Sequence, residues 1–203
     1  MTPACVVTPE QGHFRVASPS GKTAQIPLNH DLGLFAVVDA DDYPALAGYR
    51  WHAKKTTTPG VFYAVRTVFK PGSQERYRSG GRHRQLLWMH RVILGAVCEG
   101  RETDHVNGDG LDNRRCNLRP CSRVENNRNR RFLAERVSRF KTQFRGVYRP
   151  PKKGRWRAFI STNGKKLLLG TFATDAEAAA AYDRAALQHY GAFARLNFPQ
   201  ETA

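Results

Sequence analysis

The sequence predicts an α+β protein with two small domains, and three observations support this. Apolar runs of strand character, such as residues 34–38 and 61–69, alternate with turn-forming segments. Two segments carry a capping-box signature, in which a Ser or Thr is followed three residues later by Glu; they begin at Ser122 and Thr174. A run rich in arginine lies between the two halves, and we assign it to a basic connector at residues 136–143.

In chain order, we expect a loop-rich segment at residues 1–30 and then a first domain at residues 31–135. The elements expected in this domain are a buried strand at 34–38, a short helix at 44–48, a hairpin of 51–55 with 61–69, a basic strand or ribbon at 76–91 that turns helical at 92–94, a loop at 104–113, and a helix at 122–139.

The second domain is expected at residues 144–199, with three short strands in an antiparallel sheet and one alanine-rich helix. Thr174 begins this helix and Gly191 ends it. Alternate residues of a strand share a face. One face of the second strand therefore carries Arg155, Arg157, Phe159 and Ser161, and the other face carries Trp156, Ala158 and Ile160, which suit packing against the helix.

The charge of the protein favours a nucleic-acid partner. Thirty-three Lys and Arg against 17 Asp and Glu leave +16 over 203 residues, whereas a small domain usually carries a net charge of about 2–8. Such a surplus attracts polyanions more readily than a mixed surface does. The longest apolar run, residues 32–38, is too short to cross a bilayer. With no signal peptide recognised either, we expect a cytoplasmic protein that lies on DNA and not on a membrane.

One constellation of residues predicts metal-assisted phosphodiester hydrolysis. Asp104 beside His105 places a hard oxygen ligand next to a titratable imidazole, and Asn126 supplies a second oxygen. Hydrolysis of a phosphodiester needs a base that activates water and a cation that neutralises developing charge. Oxygen ligands favour Mg²⁺ or Mn²⁺. The four cysteines form no C-x-x-C pair, so zinc is a weak hypothesis.

Residues 86–130 resemble the HNH (ββα-metal) endonucleases of homing type, through Asp104-His105, the Gly-rich loop, Asn117-Leu-Arg and the capped helix that bears Asn126. The resemblance implies that His105 is the general base and that Asp104 and Asn126 bind one divalent ion per active site. It implies that Asn117 ties the loop and orients the base. Two implied phosphate contacts are Arg119 and Arg130. His90 has no assigned role.

The C-terminal domain resembles the apetala-two/ethylene-response-factor (ERF) DNA-binding domain, which also occurs fused to HNH homing nucleases. The residues that carry the likeness are Phe144-Arg-Gly-Val-Tyr148, Gly154-Arg-Trp-Arg-Ala-Phe-Ile160, Leu169-Gly-Thr-Phe172, the alanine helix and Leu196-Asn-Phe-Pro199. We expect its sheet to enter the major groove, where Arg reads guanine. The expected DNA contacts are Arg145, Tyr148, Arg149, Arg155, Arg157 and Lys166.

Together these features predict a site-specific, metal-dependent DNA endonuclease of HNH homing type in a bacterial or phage-infected cell. It would bind double-stranded DNA as a monomer or weak dimer, and it would nick or cut both strands. The alternative is a DNA-binding transcription regulator with an inactive nuclease centre. An RNA-binding module is less favoured because the sequence has no aromatic-rich strand pair of the RNA-binding kind.

Overall fold

The structure, a computed structural model, describes residues 20–29, 33–69, 84–95, 100–130, 142–150 and 154–199. The chain divides into two compact units, Met1–Ser122 and Arg123–Ala203. Several predicted segments lie outside the described residues: most of the N-terminal loop, residues 76–83 of the basic ribbon, the end of the 122–139 helix, and most of the connector. Within the described ranges, no helix has both the length and the apolar character needed to cross a membrane.

The described residues of the N-terminal unit form three small antiparallel sheets, two short α-helices and one 3₁₀ helix. Strands β1 (Thr23–Asn29) and β2 (Leu34–Asp39) form a hairpin, and β3 (His52–Lys55), β4 (Phe62–Phe69) and β5 (Arg84–Trp88) form a sheet in that order. Strands β6 (Glu102–His105) and β7 (Leu118–Cys121) form the third sheet. The helices are α1 (Tyr43–Ala47) and α2 (Met89–Leu94), and Arg115–Asn117 is a 3₁₀ helix. The predicted strand at 34–38, short helix, β3–β4 hairpin and helical turn after Trp88 are confirmed.

Two predictions for this unit are wrong. Residues 23–29 were expected in a loop but form β1, in which Ile26 and Leu28 are buried while Pro27 is exposed. Proline is tolerated there because β1 pairs only with β2, which leaves it an edge strand. Asp104 and His105 were expected to open a loop but end β6, where they pair with Arg119 and Leu118 of β7.

The core of the N-terminal unit joins the β1–β2 hairpin to the segment before β7. Ala36 and Val38 of β2 are fully buried among Leu46, Trp51 and Leu118. The backbone N–H of Val37 donates to the carbonyl of Leu111 (2.9 Å).

The same link continues through charged side chains at the end of β2. The backbone N–H of Arg115 donates to Asp39 Oδ2 (2.7 Å), and its guanidinium donates to Asp42 at 2.8 and 2.6 Å. Contacts between residues far apart in the sequence therefore hold this unit together.

The C-terminal unit contains α3 (Arg123–Asn129), then β8 (Val147–Tyr148), β9 (Trp156–Thr162) and β10 (Lys165–Phe172), and then α4 (Asp175–Tyr190). A 3₁₀ helix, Gly191–Phe193, follows α4. The sheet is antiparallel with the order β10-β9-β8. The predicted capping box is present: Glu177 N–H donates to the Thr174 hydroxyl (3.2 Å), and Thr174 N–H donates to Glu177 Oε2 (3.2 Å).

The alanine face of α4 packs against the sheet, as the sequence predicts. Ala178, Ala179 and Ala186 are fully buried, and so is Ala158 of β9; Ile160 is 1% exposed. Small side chains on the helix let its backbone approach the strands closely. The alternation predicted along β9 is confirmed, because Ala158 and Ile160 are buried while Ser161 is exposed.

The predicted ββα-metal domain is not shown. Strands β6 and β7 and helix α3 follow one another along the chain, but the compact unit with the two strands ends at Ser122. Helix α3 contacts the 3₁₀ helix after α4 and so belongs to the C-terminal unit. This helix was predicted to belong to the first domain. The prediction failed because contacts between its side chains and later segments leave no pattern in the sequence around the helix.

Candidate functional site

The exposed face of the C-terminal sheet presents polar, basic and apolar side chains in register. In β9 and β10, Ser161 lies opposite Lys166, Phe159 opposite Leu168, and Arg157 opposite Thr171, with Tyr148 of β8 on the other side of Arg157. We call these seven residues the exposed sheet face. Leu168 is 56% exposed.

Cations on and beside this face are held against aromatic rings. The ammonium of Lys166 lies 4.3 Å from the centroid of the Phe159 ring, and the guanidinium carbon of Arg149 lies 5.4 Å from that of Trp156. Such contacts orient long side chains at little cost in hydration. Arg155, a predicted DNA contact, is exposed just before β9 begins. Tyr148, Arg157 and Lys166 thus lie on the face, while Arg149 and Arg155 lie beside it.

Arg145, another predicted DNA contact, links α3 to the sheet. Its Nη1 donates to the carbonyl of Arg128 (2.7 Å), and its backbone N–H donates to Asn197 Oδ1 (2.6 Å). The guanidinium of Arg128 in turn lies 4.7 Å from the centroid of the Tyr190 ring, whose hydroxyl donates to the carbonyl of Ser161 (2.5 Å).

A groove of about 930 Å³ lies between α3 and the exposed sheet face, and we call it the α3 groove. Its lining includes Val124, Asn127, Arg128, Arg145, Tyr148, Phe159, Ser161 and Lys166. Asn127 and Arg128 were not predicted to be parts of this surface. Their spacing along a helix is visible in the sequence, but nothing in the sequence shows which surface that helix contacts.

A buried carboxylate supports this surface from behind. Asp183 of α4 accepts hydrogen bonds from the backbone N–H groups of Asn197 (2.8 Å) and Phe198 (2.9 Å) and from Asn197 Nδ2 (3.0 Å). The Asn197 amide then holds the backbone of Arg145 through its oxygen and its nitrogen. Burial also raises the pKa of the neighbouring Tyr182 to about 12.

The N-terminal unit holds a second cluster, made of buried aromatic rings and imidazoles. The rings of His90 and His105 are 5.0 Å apart between centroids, and the ring of Tyr63 contacts both. Burial, and to a lesser degree repulsion from a protonated His105 and from Arg91, hold the pKa of His90 well below its usual value. Burial also lowers the pKa of His105, although hydrogen bonding to Asn113, whose Oδ1 is 3.4 Å from Nε2, opposes the shift. The imidazoles are therefore neutral near pH 7.

Asp104 lies next to this cluster in a buried ion pair. Arg119 donates to Asp104 Oδ2 from Nε (2.8 Å) and Nη2 (2.5 Å), and both side chains are 5% exposed. Arg119 was expected to contact a DNA phosphate, but it is buried beside Asp104 and does not face solvent. The reason is local: register in the β6–β7 hairpin places the two residues opposite each other.

The other residues expected at a nuclease centre are distributed over both units. Asn117 bridges the loop, since Nδ2 donates to the Asp112 carbonyl (2.7 Å) and Oδ1 accepts from Asn107 N–H (3.0 Å). Asn126 is half-buried in α3, and Arg130 is exposed just after it, both in the C-terminal unit.

The expected Mg²⁺ or Mn²⁺ ion remains a prediction. Asp104 Oδ2 already accepts from Arg119, whose positive charge opposes a cation at that oxygen. Among the residues that the structure describes, no group of three or more His, Cys, Asp or Glu side chains is placed to hold a metal.

Comparison with known proteins bears on the C-terminal unit. The AP2 domain family matches residues 142–192. Dehydration-responsive element-binding protein 2E of Arabidopsis thaliana is 52% identical over 69 residues, which cover 29% of this chain and 28% of the relative. Ethylene-responsive transcription factor WRI1 of Arabidopsis thaliana is 49% identical over 63 residues, 30% of this chain and 15% of the relative.

A longer match reaches beyond this domain. AP2-like ethylene-responsive transcription factor CRL5 of Oryza sativa subsp. japonica is 32% identical over 133 residues, which cover 64% of this chain and 21% of the relative. The chain thus spans less than a third of the length of these curated relatives.

These matches correct one prediction and leave others unsupported. The prediction of a metal-dependent DNA endonuclease is wrong, because the relatives are DNA-binding and transcription factors of the AP2/ERF kind and not endonucleases. The comparisons do not support a nuclease or hydrolase of HNH type, and they do not support a bacterial or phage-infected cytoplasm. The ERF resemblance and the antiparallel sheet are confirmed. Residues 142–192 therefore match the AP2 domain family, in agreement with the resemblance that the sequence predicted.

Proposed function

We propose that the protein is a sequence-specific regulator of transcription that binds double-stranded DNA. The observation that carries the proposal is the exposed sheet face, where Arg157, Tyr148 and Lys166 occur within an AP2 domain. The names of the relatives support the same class of function, since they are called element-binding and transcription factors.

The geometry of the exposed sheet face suits the major groove. That groove is about 12 Å wide and admits a ribbon of two or three strands, and neighbouring strands lie about 4.8 Å apart. Arg157 is on the central strand, between Tyr148 and Thr171, which supports a contact of its guanidinium with guanine N7 and O6. The exposed Leu168 supplies an apolar contact of the kind that a thymine methyl group accepts.

Charge supplies the part of the affinity that is independent of sequence. The net charge of +16 favours association with the phosphate backbone, and Lys166 is placed at the end of the face where such a contact is made.

The test is selection of bound duplexes from a random-sequence library by the full chain, followed by titration of one selected and one unrelated duplex. We expect Arg157→Ala to weaken binding to the selected duplex by about 1–3 kcal/mol and to relax the preference at one base pair. Arg184→Ala is the matched control, because Arg184 is exposed on α4, away from the exposed sheet face. The stoichiometry of the titration also tests the expected monomer or weak dimer.

Two results would count against the proposal. Selection that enriches no sequence would refute sequence-specific binding. Equal weakening of both duplexes by Arg157→Ala would make Arg157 a phosphate contact and remove it from base recognition. Regulation itself is measured with a reporter gene that carries the selected site, where Arg157→Ala is expected to abolish the change in expression that the wild-type chain causes.

A further inference from the structure

Helix α3 precedes the matched AP2 residues, yet it is fixed to the AP2 domain by specific contacts. The carbonyl of Arg128 accepts from the guanidinium of Arg145, and the Arg128 side chain lies over Tyr190. Arg145 is itself held by Asn197, which Asp183 holds in turn. The position of α3 is therefore set by the buried support of the sheet.

The side of α3 that lines the groove is defined by helical spacing. Val124, Asn127 and Arg128 share one face of α3, and all three line the α3 groove. Lys166 and Phe159 of the exposed sheet face line the opposite side.

The α3 groove is basic. Three cations line it, Arg128, Arg145 and Lys166, and none of the described residues that line it is a carboxylate. A groove that brings several cations together along one edge of a base-reading surface is complementary in charge to a sugar–phosphate strand.

Helix α3 lies beside the exposed sheet face and leaves it open. Its main contact with another element is with the 3₁₀ helix Gly191–Phe193, at the far end of α4. Lys166, Leu168 and Thr171 remain exposed. The helix thus extends the surface without masking it.

We propose that α3 is a second DNA-contacting element, and that the α3 groove holds one sugar–phosphate strand of the duplex that the exposed sheet face reads. The inference rests on the proposed function, because it needs DNA docked on that face. Arg145 acts here as a positioning residue: it ties the C-terminal end of α3 to the sheet and so sets the width of the groove.

The experiment introduces opposite charges at one exposed position of the groove. Val124 is 60% exposed, and both Glu and Lys are better helix formers than Val, so Val124→Glu and Val124→Lys are expected to keep the fold. The matched controls are Leu187→Glu and Leu187→Lys, which make the same charge changes at a position 43% exposed on α4 that does not line the groove. Each full-chain variant is titrated at low salt with the selected duplex and with the unrelated one.

We expect Val124→Glu to weaken and Val124→Lys to strengthen binding by about fivefold each, as expected for one charge about 4 Å from a phosphate in water. The change should be similar on both duplexes, because phosphates carry no sequence, and it should shrink as salt is raised. The two Leu187 variants should shift the affinity by much less.

Other outcomes would overturn the inference. Equal shifts from the Val124 and Leu187 pairs would show only the effect of net charge. Weakening by both Val124 variants would indicate a steric effect, and strengthening by both would indicate a helix that covers the sheet. Failure of the proposed function is seen separately, in a wild-type chain that binds the selected and unrelated duplexes equally.

Discussion

Gly146 is the position where a single added carbon should most disturb the DNA-binding unit. Its φ is +73°, and a Cβ at this position would overlap Cδ2 of the Tyr182 ring and lie 2.7 Å from the carbonyl oxygen of Phe159. Tyr182 is 5% exposed and packs beside Ile160, so its ring must shift to admit the added carbon. Gly164 offers a matched control, since its φ is +74° and a Cβ there has no atom within 4 Å.

The expected magnitude separates into two parts. Ala at a left-handed backbone position costs about 1–2 kcal/mol, and both variants incur this cost. Overpacking a tight site adds about 1–3 kcal/mol at Gly146 alone. We therefore expect Gly146→Ala to lower the free energy of unfolding of the C-terminal unit by about 2–5 kcal/mol, and Gly164→Ala by about 1–2 kcal/mol.

Native-state hydrogen exchange of the full chain measures this difference, because amides of each unit report the opening of that unit. The Phe159 amide is a direct probe, since it donates to the carbonyl of Gly146 (2.8 Å). Equal losses of protection in the two variants would refute the reasoning, because they would leave only the backbone cost and no overlap with Tyr182.

Three further predictions concern buried ionisable groups. Asp183→Ala removes the acceptor of three hydrogen bonds and should lower the unfolding free energy of the C-terminal unit by about 2–4 kcal/mol in the same exchange experiment, with the Arg145 region losing protection too. Asp104→Ala should cost the N-terminal unit about 3–5 kcal/mol in urea denaturation, whereas the double variant Asp104→Leu/Arg119→Met should recover most of the loss; a double variant as unstable as the single one would contradict the buried ion pair. Because the pKa of His90 is held well below 6.5, the unfolded chain gains a proton at this site as the pH falls and the folded protein does not. Stability that is present above pH 6.5 should therefore be lost as the pH falls below 6.5, by up to about 1.4 kcal/mol per pH unit. His90→Gln should reduce that slope, and an unchanged slope would locate the proton uptake elsewhere.

The elements that the sequence predicted are those decided by neighbouring residues. The α4 helix begins at a capping box whose two hydrogen bonds join residues three apart. The alternation of buried and more exposed side chains along β9 is visible within the sequence of that one strand. The turn between β9 and β10 adds a signal that the sequence analysis did not use: Asn163 and Gly164 both have positive φ, as a type I′ hairpin turn requires.

The features that the sequence did not predict depend on contacts between distant segments. Strand β1 is stabilised by pairing with β2 and by burial of its side chains in the core. Pro27 lies within this strand, and a proline argues against a strand when only the neighbouring residues are considered. The ion pair of Asp104 with Arg119 depends on the register of the β6–β7 hairpin, which pairs residues 15 positions apart and cannot be read from either strand alone. Helix α3 was assigned by its place in the chain, but the hydrogen bond between Arg145 and Arg128 places it with the AP2 domain.

The contact between Asp39 and Arg115 joins two parts of the chain that are synthesised far apart in time. The two residues are 76 positions apart, whereas the turn at Asn163 and Gly164 joins β9 directly to β10. On the ribosome, β2 therefore waits for 76 further residues before Arg115 can reach it. The hairpin of the DNA-binding unit closes almost as soon as it emerges. A nascent chain that ends before residue 111 therefore lacks the segment that contacts β2 through Leu111, Asn113 and Arg115 in the folded unit.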